Sequence, residues 1–492
     1  MRRYQLLVVT LLCGQVPAQD VISFQRTKPN TAGSYAIGRS VKEVPEGYLV
    51  FSEERAADLS PGSDPYVTLF DLEGNVLWEH SFHTLRNDDY GFPDPVCRLR
   101  SGGFASGEAQ FGITSEIDSL FLYLFTAEGD TEATRFLMND TTVTIRKCIQ
   151  GHNGDLLFTG LHEPPSEQYV LRTDTVGNIK DYFTFPGYLG YGIAEDVTGD
   201  LYLTGGRFSD ERPSLIKCDS TGVLEWVRVI EPRGSWRTPL VLADNSVLVV
   251  GGWQLPPNGY NVAKVRRYSS SGVLLWADDA RQSTNANYGA MYTDAYQKND
   301  GSLVIGGHWG TQEIGNNGFV QGYSLAGDSL WSTRFTYYDS LGPSGFHFIW
   351  DLEPTSDGGM ILTGEAWDTS QPAPQNVWLV KLDSVGCLVP GCQSVGIAEQ
   401  ATNWQAALHV YPNPSAGGYV TVSLDLPPSA SRGQDLRLAV VASDGRVVLE
   451  RSFARSGSET LELPVGDLRA GMYYVHLAKG STWLSGTKLM IE

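Results

Sequence analysis

Four ionisable residues share one place in a repeated pattern. Between residues 19 and 392 the chain repeats a unit of short apolar runs joined by tight turns. Near the end of the second run, His308, Glu365, Glu54 and Glu108 fall in four units that would be consecutive if the array closed into a ring. Two carboxyls roughly 6.5–9.5 Å apart are what an inverting glycosidase uses, one protonating the leaving oxygen and the other activating water. Neighbouring units would hold such groups about 10 Å apart, given the spacing of sheet strands. That admits acid–base work on a sugar linkage and excludes a shared calcium ion, whose oxygens lie within about 2.6 Å. The plainer role is a solvated acidic rim on an acidic protein.

The same region carries Arg55, His162, Arg207, Trp253, Trp309 and Trp367, where the units diverge most. Aromatic faces mixed with polar groups suit stacking on sugar rings or gripping a peptide; the alternative is packing between units. The chain has no G-x-S-x-G, no H-E-x-x-H and no phosphate-binding glycine loop, so nucleophile, zinc-hydrolase and nucleotide chemistry have no motif to stand on. Its D-x-x-G turns lack the dense acidic spacing of a calcium loop. No metal and no cofactor is expected.

The turn Asp219–Gly222 recurs with its glycine at 74, 129, 177, 222, 272, 327 and 386, and in four copies a tryptophan follows by four: Trp78, Trp226, Trp276 and Trp331. A second turn recurs at Gly47, Gly102, Gly154, Gly199, Asn245, Gly301 and Gly358. Each turn sits between short apolar runs, which is hairpin grammar, and two hairpins make a four-stranded unit. A period near fifty residues with four strands per unit predicts a seven-bladed β-propeller. The seventh unit lacks a fourth strand, and residues 20–28 resemble one, so the chain ends are expected to latch the ring rather than leave a sheet edge unpaired.

The residues 1–18 read as a signal peptide: Arg2 and Arg3, an apolar run from Leu6 to Leu12, and Val16-Pro17-Ala18 before the cut. Export permits disulfides. Cys387 and Cys392 would close a small loop where the array ends, and Cys97 with Cys148, in first strands of neighbouring units, is a second candidate pair. A formal charge of −20 repels nucleic acid and anionic membranes, and no apolar run is long enough to span a bilayer.

Residues 393–407 read as a linker and 408–492 as a small Ig-like β-sandwich of about seven short strands. This module resembles the C-terminal (type A) sorting domain of type IX secretion cargo through Tyr411-Pro-Asn-Pro414, Asp444-Gly445, Leu468-Arg-Ala-Gly471-Met-Tyr473 and Lys488-Leu-Met-Ile491. The resemblance implies passage through the periplasm, engagement of the type IX machinery, and a final place in the medium or on the outer-membrane surface. The repeats resemble the propeller arrays of such cargo. They match neither the sialidase Asp box, with glycine two after the aspartate, nor the usual quinoprotein spacing of four. The expectation is a non-enzymatic module binding a glycan or protein ligand. The alternative is an enzyme that degrades polysaccharide or glycoconjugate through the face carboxylates.

Overall fold

In a computed structural model, the described residues run from 23 to 492 with short stretches left out, among them 29–32, 57–63, 82–86, 91–93, 112–117, 141–142, 230–233, 256–259, 283–289, 338–345, 368–374, 389–397, 402–407 and 425–435. The signal peptide lies outside them. All regular structure described is β, in seven blade sheets and a C-terminal module. Blade 4 shows the plan: Tyr188–Glu195, Leu201–Arg207, Arg212–Cys218 and Leu224–Val229 pair in that order, each antiparallel to the next.

The two turn motifs explain why. In the outer one, Asp219 Oδ1 accepts from the Thr221 and Val223 amides at 2.9 Å each, while Gly222 N donates to the Asp219 carbonyl at 3.0 Å. Gly222 takes a φ of 87°, open to glycine at little cost. Asn245, at φ 61°, is the one non-glycine in the inner turn series, and asparagine tolerates that region better than most residues. The recurrent tryptophan reaches onward: Trp226 Nε1 donates to the Ser270 carbonyl and Trp276 Nε1 to that of Leu325, each in the outer turn of the next blade. A Cβ at Gly327 would come within 2.7 Å of the Trp276 ring. The motif therefore joins neighbouring blades as well as turning the chain.

Apolar side chains on both faces of each sheet pack between blades. One such core joins Leu157 and Val170 of blade 3 to Ile193, Leu203 and Ile216 of blade 4. The ring closes as the chain ends suggested. Phe24–Lys28 pairs antiparallel with Gln375–Leu382, with Phe24 opposite Lys381 and Lys28 opposite Val377. Lys28 also reaches Glu54 and Glu79 of blade 1, so the latch ties the last blade to the first.

The C-terminal module has its own core, built from residues such as Leu438, Val440, Val475 and Leu489. Inside the stretch read as a linker, Ala398–Ala401 forms a strand that pairs in parallel with Ser329–Phe335 of blade 6 and with Thr482–Ile491.

Candidate functional site

The inner strands position the described residues that line the central cavity. In six blades this strand carries one extra residue at the same height: Arg39, Arg146, Tyr191, Arg237, Thr293 and Trp350 each sit at a register shift against the second strand. A bulge re-aims its side chain, and bulges gather next to functional sites. Five of the six are partly exposed. Arg146 and Arg237 both approach the Tyr191 ring, at 5.6 and 4.2 Å from its centroid. Burial and the charge of Arg146, against the pull of Tyr191, lower Arg237 to about 10, so it stays cationic at neutral pH. Across the ring, Arg39 pairs with Glu53 at 2.9 Å and Trp350 Nε1 donates to Glu365 at 3.2 Å.

Further along the same strands, toward the inner turns, lies a second layer. Lys42 pairs with Glu353 at 2.8 Å, Asp351 at 3.2 Å and Asp94 at 3.5 Å, and Lys147 pairs with Asp94 at 2.6 Å. Burial raises Asp94, but Lys147 and Lys42 outweigh it and hold the carboxyl at about 2. Burial raises Asp294 well above its ordinary value despite Lys147, and the Asp351 and Asp94 charges add to the shift. A hydrogen bond between Asp294 and Asp351 pushes in the same direction, so the neutral form of Asp294 is favoured over that of a free carboxyl. These residues line an open cavity of about 740 Å³ to which all seven blades contribute.

The acidic arc read from the repeats does not form. Cross-strand pairing sets Gly38 opposite Ser52 and Ile349 opposite Gly364, so Glu53, not Glu54, is the counterpart of Glu365. The inner turn of blade 1 is two residues, 45–46, against five, 355–359, in blade 7, which shifts the count. In blade 2, Arg98 opposite Phe104 corresponds to Gln150 opposite Leu156 in blade 3, so Ala109, not Glu108, matches Leu161. Glu54 and Glu108 are each 1% exposed, and Glu54 is the buried partner of the latch lysine. Glu365 accepts from Trp350, Trp367 and Gln375, while burial, which these donors only partly offset, raises its carboxyl. His308 is buried edge-on against Phe348 and Trp350, and burial together with Arg237 lowers it to about 3, leaving it neutral.

The residues expected to bind ligand are scattered among local partners. His162 faces Glu167 at 3.4 Å, and Arg207 pairs with Asp210. The Trp309 ring lies 5.1 Å from the Arg334 guanidinium, and Trp367 Nε1 donates to Glu365 at 2.9 Å. The side chains of Arg55 and Trp253 lie outside the described residues. Cys387 is buried and disulfide-bonded, while Cys392 lies outside the described residues. Cys97 and Cys148 carry no disulfide in this structure, and their sulfurs lie 2.9 Å apart. No group of three or more His, Cys, Asp or Glu able to hold a metal ion occurs among the described residues. Sequence reading missed both channel layers, because a bulge is visible only once two strands are in register.

Residues 409–492 match the family of secretion system C-terminal sorting domains, which makes the chain type IX secretion cargo, secreted or attached to the cell surface. No curated protein matches the chain. Among solved structures, Sqt1 from Chaetomium thermophilum is 12% identical, with 81% of this chain and 97% of that one covered at a TM-score of 0.42. The β-propeller domain of the Trilobed protease from Pyrococcus furiosus is 10% identical, with coverage of 70% and 94% and a TM-score of 0.40. XC5397 of Xanthomonas campestris, a gluconolactonase, is 10% identical, with coverage of 73% and 99% and a TM-score of 0.34. None of these likenesses carries an activity to this chain. No helix among the described residues is long and apolar enough to cross a membrane.

Proposed function

We propose that the exported propeller is a non-enzymatic binding module whose channel takes an acidic glycan. The observation that carries this reading is the bulge layer: Arg146 and Arg237 flank Tyr191, with Trp350 on the same ring, in a chain of formal charge −20. Guanidinium groups recognise carboxylates and sulfates through paired donors, and aromatic faces stack on sugar rings. In an acidic protein such a layer attracts anions locally against the overall field, a cost that binding would justify. The enzyme alternative has less support, since Glu54 is taken up by Lys28 and Glu365 by three donors.

The test is titration of the purified mature chain with an oligouronate and with a neutral oligosaccharide of equal length, alongside an assay for new reducing ends. Binding of the acidic sugar alone, weakened tenfold or more by Arg146→Ala and by added salt, is the expected result. Equal binding of the neutral sugar, or none of either, refutes the reading, and release of reducing ends would favour the enzyme.

A further inference from the structure

We propose that Cys97 and Cys148 form a disulfide in the exported protein, riveting the inner strands of blades 2 and 3 at the channel wall. Their sulfurs lie 2.9 Å apart, closer than two non-bonded sulfur atoms rest, and 51 residues separate them in the chain. They are 7% and 1% exposed, so neither is placed to meet an outside partner. Among the described residues no metal-competent cluster includes them, which removes the main alternative use of a thiol pair.

The location gives the bond a role. Among the described residues, blade 2 has the one interrupted inner strand: Asn87–Tyr90 and Val96–Arg98 pair separately with Phe104–Phe111. An isolated bridge joins Asp94 to Lys147 of the next blade, backed by their ion pair, and Arg100 donates to the Gly151 and His152 carbonyls nearby. A covalent tie three residues from Asp94 would fix the broken strand to its neighbour. It would also hold Asp94 against Lys147 in the acid–lysine layer.

The chemistry balances with one co-reactant, a protein disulfide oxidant of the compartment the chain crosses on export. One cysteine thiolate attacks the oxidant's disulfide and forms a mixed disulfide; the second thiolate displaces the oxidant as its dithiol. Two S–H bonds are lost, one S–S bond forms, and two electrons and two protons pass to the oxidant. Burial raises Cys148 well above its ordinary value, helped by its contact with Cys97. A protonated, enclosed thiol reacts slowly, so the bond should form while the blades assemble and then be shielded from reductants.

The test uses the full mature chain recovered from an oxidising compartment, unfolded in denaturant with a thiol-alkylating maleimide and no reductant, then mapped by peptide mass. Expected are a linked peptide containing Cys97 and Cys148, two hydrogens lighter than the pair of free peptides, and full alkylation of Cys218, which is not disulfide-bonded. Alkylated Cys97 and Cys148 in that sample overturn the proposal. A second measurement addresses the role: refolded with the thiols blocked, the chain should melt about 5 °C or more below the oxidised form. An unchanged melting temperature would refute the rivet, though not the bond, which the map decides by itself.

Discussion

Two layers of one channel, a few residues apart on the same strands, are built on opposite principles. The layer of Lys42, Asp94, Lys147, Asp294 and Asp351 is internally matched: both lysines touch carboxylates, and burial raises Asp294, which favours its neutral form. The bulge layer instead gathers like charges: Arg146 and Arg237 share one tyrosine ring, and the Arg146 charge adds to the burial that lowers Arg237. Buried charge paired with its opposite belongs to the fold, and like charges gathered at one place mark a candidate for recognition. The contrast assigns stability to one layer and recognition to the other.

The largest effect expected from breaking that contrast is at Lys42. Lys42→Met keeps most of the side-chain volume and strips the ammonium from Asp351, Asp94 and Glu353. Leaving buried carboxylates uncompensated costs about 3–5 kcal/mol, read as a lower urea midpoint. A variant as stable as the parent would show that the layer is solvated and not structural.

The second effect is a dependence on pH with two signs. Asp94 is held at about 2, below its unfolded value of 3.8, so its contribution is present above 3.8 and lost as pH falls through about 2. That loss amounts to about 2 kcal/mol. Asp294 is raised, so its contribution is complete below 3.8 and is lost as pH rises toward its folded value, by up to about 1.4 kcal/mol per pH unit. Asp294→Asn keeps a donor for Asp351 and has nothing to ionise. Stability curves from pH 4 to 8 should therefore separate, with the variant above the parent at the alkaline end. Superimposable curves would mean that Asp294 is already ionised.

How much of this was legible in the sequence follows the same division. The turns were, because Asp219 and Gly222 perform one local job that recurs in every blade, and recurrence is what a reader detects. Ring closure was legible for a related reason: a missing fourth strand at one end and a spare one at the other are both local facts, and Phe24–Lys28 pairs where they imply. The channel was not. Arg146, Tyr191 and Arg237 meet only because each inner strand inserts a residue at the same height, and no repeat in residue type marks it. Alignment by turn glycines also miscounted blade 1, whose shorter turn moves Glu53 into the place assigned to Glu54. Position relative to a turn is not position relative to a neighbouring strand, and side-chain direction alternates with every residue.

The smallest effect on the fold, and the sharpest use of the contrast, is expected at Arg146. Its guanidinium contacts the Tyr191 ring at 5.6 Å, and its Nε is buried without a hydrogen-bond partner. Arg146→Ala loses a cation–π contact of about 0.5–1 kcal/mol and the packing of the side-chain stem. Against this it relieves Arg237 of a like charge. The two nearly cancel, so unfolding should shift by less than about 1 kcal/mol, a fraction of the Lys42→Met loss. Restoring the charge with Arg146→Lys should leave stability where it is and recover little oligouronate binding, because an ammonium lacks the paired donors of a guanidinium. If Arg146→Ala destabilises the ring as much as Lys42→Met does, the bulge layer is part of the framework, and the division between a structural and a recognising layer fails.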